Sequence, residues 1–105
     1  MKKLSLRPYP GEVLVTKDPR ELRRVYKRYT KEEFAGPLFM GMSIELTCDG
    51  DKTWLVYYTS TSALVHELGH VVLDLFTSIR SDPRDGNGEP FCYMLDRLFL
   101  EATKK

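Results

Sequence analysis

The only two histidines of this 105-residue chain, His66 and His70, stand four residues apart in "VHELGHVVLD" (65–74), with Glu67 directly after the first. On an α-helix, residues four apart lie one above the other on one face. Two imidazoles so placed can converge on one cation, at about 2.0–2.1 Å from each ring nitrogen. Glu67 is turned by roughly 100° from His66, out of the direct bite yet within reach of a water on such an ion. Zinc lowers the pKa of a bound water towards about 7, and a carboxylate can then take its proton. The spacing therefore assigns His66 and His70 as metal ligands and Glu67 as general base, the division of labour of an HExxH motif. The competing reading is an amphipathic helix with two unrelated histidines. A third ligand separates the two, because a catalytic zinc takes three protein ligands and keeps one position open.

With no third histidine, that ligand must be an acid or a cysteine. Asp74 continues the i, i+4 series, but three ligands at i, i+4 and i+8 spread over about 12 Å of helix axis, too far for one ion and a short side chain. Glu89 is the better candidate. It follows the Gly-rich loop "SDPRDGNGEP" (81–90) and opens a new helix, so the chain can double back and present it to His66 and His70. A carboxylate there also meets the positive end of the helix dipole. The plain alternative for Glu89 is an ordinary helix-initiating acid. Cys92, one turn on, is a donor in principle and a small packing residue by default. Gly69, inside the helix at a cost of about 1 kcal/mol relative to alanine, is expected to let a neighbouring element pack closely.

Other chemistries find less support. Nucleophilic schemes built on serine or cysteine fail because both histidines are already needed four apart on one helix. The stretch "DPRDGNGE" (82–89) has oxygen ligands but not the order of a calcium loop. Cys48 and Cys92 lack CxxC spacing and are too few for a disulfide framework, so reduced thiols are expected.

The elements that must position these groups follow from periodicity and caps. "EVLVT" (12–16) is a short strand. "DPRELRRVYKRY" (18–29) is a helix, with Asp18 as cap, Pro19 in the first turn and Glu21 placed for a capping box. "LFMGMSIELTC" (38–48) and "KTWLVYYTS" (52–60) read as strands joined through the turn signal "DGD", hence a hairpin. The Ser/Thr cluster 59–62 caps a helix over about 62–79. A last helix starts at Pro90, with Phe91, Met94, Leu95 and Leu98 at helical spacing and Lys104 and Lys105 at its C-terminal end. The order β-α-β-β-α-α predicts an α+β layer, a small sheet carrying helices, in a single domain over 1–105.

"HELGH" (66–70) followed some twenty residues later by Glu89 in "GEPFCYMLDRLF" resembles the zincin metallopeptidases, and among them the gluzincins, whose third ligand is a glutamate from a second helix. Small phage-encoded and phage-immunity zincin-like proteins look closest in size and element order. The resemblance covers roughly residues 38–102. It implies a minimal zincin-like fold, one zinc ion per chain held by His66, His70 and Glu89, and catalysis by Glu67 on a protein or peptide substrate. It also implies that "KTWLVYYTS" takes the place of the edge strand along which a peptide lies. The chain departs from thermolysin-like members where an aspartate follows the ligand glutamate by four. Tyr93 stands there, and Asp96 is one turn on. It also shows no second lobe to wall a cleft. Tyr57, Tyr58 and Tyr93 are the candidates for stabilising an oxyanion.

Composition sets the outer bounds. Apolar content of 42% and charged content of 30% describe an ordinary globular chain. No apolar run approaches the roughly 20 residues that span a bilayer. The start "MKKLSLRPYPGE" has lysines but no apolar stretch before Pro8 and Pro10, so the expectation is a cytoplasmic protein. The net charge of +1 hides ten Lys/Arg against three acids in residues 1–31, concentrated in "RELRRVYKRYTK". Such a helix face can meet nucleic acid or an acidic partner, although a solvated surface is the ordinary explanation. Two functions thus stand side by side. One is a zinc-dependent hydrolase, a small metallopeptidase with Glu67 as base. The other is a non-catalytic zincin-like binding protein whose zinc is structural and whose basic helix or edge strand engages a protein or nucleic acid.

Overall fold

The computed structural model describes the backbone of residues 1–48 and 51–105, with the side chains of Cys48 and Asp51 outside that set. In chain order the elements are β1 (Lys2–Ser5), β2 (Glu12–Thr16), α1 (Pro19–Thr30), β3 (Gly41–Cys48), β4 (Asp51–Tyr58), α2 (Thr61–Ser78), a short 3-10 turn (Asp85–Gly88) and α3 (Glu89–Thr103). This is an α+β fold: one four-stranded mixed sheet in the order β1-β2-β4-β3, with three helices.

Strand β4 organises the sheet. It pairs parallel with β2 and antiparallel with β3, so both of its edges are used. Thr53, Trp54, Leu55, Val56 and Tyr57 are all buried, as expected of a strand covered on both faces. Its alternate side chains build two cores. Trp54 and Val56, with Val13 and Val15 of β2, pack against Leu64, Leu68, Val71, Val72, Leu75 and Phe76 of α2 and Met94, Leu98 and Ala102 of α3. Leu55 and Tyr57, with Leu14 and Leu46, pack against Leu22 and Val25 of α1. The sheet therefore lies between α1 on one side and α2 with α3 on the other.

Several sequence expectations change here. Strand β1 is an addition to the expected elements, although Leu4 and Leu6 alternate as a half-buried strand should and are 3% and 0% exposed. The hairpin is present, closed by pairing of Cys48 with Asp51, while its turn residues 49–50 lie outside the described residues. The segment "KTWLVYYTS" is not an edge strand, since β2 pairs with its other side; β1 and β3 are the edges. The capping box at α1 is indirect. The Asp18 side chain accepts from Arg20 N at 2.9 Å, while the Asp18 N–H donates to Thr16 Oγ1 at 3.0 Å. The Thr16 hydroxyl in turn donates to Glu21 Oε1 at 2.5 Å, so a threonine stands between the two box residues. At α2 the cap is Ser60, whose side chain accepts from Ala63 N at 3.1 Å. The Gly-rich loop turns sharply into α3 through Gly86, Asn87 and Gly88, all with positive φ. No helix among the described residues is long and apolar enough to cross a membrane.

Candidate functional site

Helix α2 buries one face and leaves His66, His70 and Asp74 on its exposed side. Each of the large side chains on the buried face contributes on the order of 1.5–3 kcal/mol, so the helix is anchored along its length and its polar side is presented on a fixed support. There the two imidazoles converge. Their Nε2 atoms lie 3.2 Å apart, with the rings nearly perpendicular at 83°. Two nitrogens each bound to one tetrahedral ion stand about 3.3 Å apart, given bond lengths of about 2.0–2.1 Å. The observed separation is close to that value. It also serves as a hydrogen bond when one ring donates and the other accepts.

Glu67 contrasts with its neighbours. It is only 8% exposed, and it sits against the first residue of β3. What remains accessible of it lines a cleft of about 400 Å³ together with His66, Ala63, Ser60, Ser62 and the segment Phe39–Gly41. Helix α2 forms the floor and the lead-in to the edge strand forms one wall. Phe39 and Met40 stand at this cleft 75% and 68% exposed. A hollow of similar size lies by Lys3, Arg7 and Glu12 at the β1–β2 hairpin, without any histidine.

Glu89 is the first residue of α3 and is exposed. Cys92 and Asp96 of α3 line a shallow apolar groove with Val65 of α2. At its start α3 meets the later part of α2, where the rings of Phe76 and Phe91 lie 5.9 Å apart. Among the described residues, no three of His, Cys, Asp and Glu are grouped closely enough to hold an ion as they stand. The structure therefore brings His66 and His70 together and sets Glu67 beside them, with Glu89 on the adjoining helix outside their immediate group.

Other sequence candidates sort by position. Tyr57 faces the α1 core, across the sheet from the histidines. Tyr58 lies on the α2 side, opposite Gly41 in the ladder, with Lys17 Nζ 5.7 Å from its ring centre. Tyr93 is 70% exposed on α3. Cys92 is a free, exposed thiol rather than a buried packing residue. Asp82 in the Gly-rich loop is occupied by Arg84, which donates from its backbone N–H and guanidinium and holds the carboxyl below the usual carboxylate range.

The close-packing role expected of Gly69 belongs elsewhere. A side chain at 69 would meet nothing within 4 Å, whereas one at Gly41 would meet Glu67, Tyr57 and Ala63. A glycine inside a strand pattern signals close approach, and that was the available clue to Gly41. Comparison with protein-family models, curated proteins and solved structures finds no match to this chain.

Proposed function

We propose that this chain is a zinc-dependent hydrolase, a small zincin-like metallopeptidase. The observation that carries the reading is the 3.2 Å separation of His66 and His70 Nε2 beside the buried Glu67. Two neutral imidazoles and a carboxylate are a donor set that suits zinc. His66 and His70 would hold the ion, with Glu89 of α3 as the third ligand. When bound there, zinc would supply a Lewis acid and a water acidic enough to lose a proton near neutral pH. Glu67 would accept a proton from the attacking water at its carboxylate and return it to the leaving amine as the C–N bond breaks. The free edge of β3 offers backbone N–H and C=O groups to an extended peptide.

The test is elemental analysis followed by hydrolysis of labelled casein. One zinc per chain is expected, and Glu67→Gln should keep the zinc and the fold while lowering hydrolysis on the order of 10²–10⁴-fold. A wild-type chain that takes up no zinc would end this reading. The exposed Phe39 and Met40 favour a second one, in which zinc is structural and the cleft binds a protein without cutting it. In that case zinc is retained and no casein is hydrolysed by either form.

A further inference from the structure

We propose that Gly41 is a positioning residue for Glu67. A Cβ at position 41 would stand 3.2 Å from Glu67 Cγ, 3.2 Å from the carbonyl oxygen of Tyr57 and 3.3 Å from Ala63 Cβ. All three are a few tenths of an ångström inside ordinary contact. The Tyr57 carbonyl belongs to the interior strand β4 and Ala63 to the backbone-anchored first turn of α2, so neither yields easily. Glu67 has the rotatable side chain, and it would move first. The missing side chain at the start of the edge strand is thus what lets the Glu67 stem lie buried between β3 and α2 with its accessible part on the cleft. The three atoms nearest to a Cβ at this position include none of His66 or His70. Substitution at 41 should therefore displace the base and spare the ligands.

The structural part of this inference is independent of any activity, whereas its catalytic consequence rests on the hydrolase reading. A double-mutant cycle on metal-free protein separates them. Gly41→Ala should lower the guanidinium midpoint at least about twice as much in the wild-type background as in Glu67→Ala, where Cγ is gone. Should Gly41→Ala fail to fold, recovery of folding in the Gly41→Ala/Glu67→Ala chain supports the proposal equally. Equal shifts in the two backgrounds, or failure of both to fold, would assign the glycine to the Tyr57 carbonyl and Ala63 and overturn the proposal. In the second arm, Gly41→Ala should keep one zinc per chain and lose casein hydrolysis on the order of 10-fold, as small misplacements of a reacting group do. Retained coupling with no hydrolysis by the wild type would sink the hydrolase reading and leave the positioning intact.

Discussion

Helices α1 and α2 cover opposite faces of the same sheet, and they dispose of their polar groups in opposite ways. On α1 the charges are largely engaged with one another or with nearby groups. Glu21 meets Arg24 at 3.5 Å and accepts from Thr16, Lys27 meets Glu33 at 2.6 Å, and Arg23 lies over the Phe34 ring. Lys31 Nζ donates to the Arg28 carbonyl. Among the described residues, no ion pair involves α2. Its exposed histidines have each other, and its glutamate is buried at a cleft. The density of charge on α1 looks like an interaction signal in the sequence, yet much of it is accounted for by exposed pairs worth little individually. The sparse polar groups on α2 converge in a way that surface solvation does not require.

The largest expected effect would break this contrast outright. His70→Ala or Glu89→Ala should abolish stoichiometric zinc uptake, while Asp74→Ala should weaken it no more than about 10–100-fold, as loss of an outlying partner does. Neutralising Lys27 and Arg28 on α1 should leave uptake unchanged. Calorimetric zinc titration of the four proteins decides; an α1 effect as large as the α2 effect would remove the distinction between the helices.

A smaller effect sharpens it. Gly69 is helical with open space where a side chain would be, so Gly69→Ala should raise the stability of the metal-free chain by about 0.5–1 kcal/mol. Denaturant unfolding of the two metal-free proteins measures the gain, and no gain would show that the added methyl meets an obstacle there.

The smallest effect belongs to α1. The hydrogen bond from Thr16 lowers the Glu21 pKa below its usual 4.5, helped by the terminal amine and Arg24 and opposed by burial. A depressed carboxyl stabilises the fold fully above its unfolded value, and the contribution fades as pH falls through the folded one. Wild-type stability should therefore drop below about pH 4.5, and Glu21→Gln should be less stable near neutrality with a shallower acid slope. Parallel slopes for the two proteins in acid denaturation would show that Glu21 contributes nothing to the pH dependence.

Much of the fold was legible locally. The bounds of β2, α1, β3, β4, α2 and α3 fall within a few residues of those expected, because apolar periodicity, Asp18, Ser60 and the Gly-rich loop act over a handful of residues. The HExxH helix was legible for the same reason: its i, i+4 spacing alone places both histidines on one face. Strand β1 was not, since four residues hold too little pattern until their partner strand is known. Nor did the sequence show that β4 lies inside the sheet. That depends on Glu12–Thr16 pairing with residues some forty positions away, and no local rule registers such a pairing. The exchange of roles between Gly69 and Gly41 has the same origin. A glycine's value lies in what approaches it, and what approaches Gly41 is a helix more than twenty residues downstream. The sequence by itself determined which residue types could do chemistry and on which helix they ride. Only the tertiary structure decided that Glu67 is buried and that β3 rather than β4 lies at an edge of the sheet, because those are consequences of packing between elements that no single segment encodes.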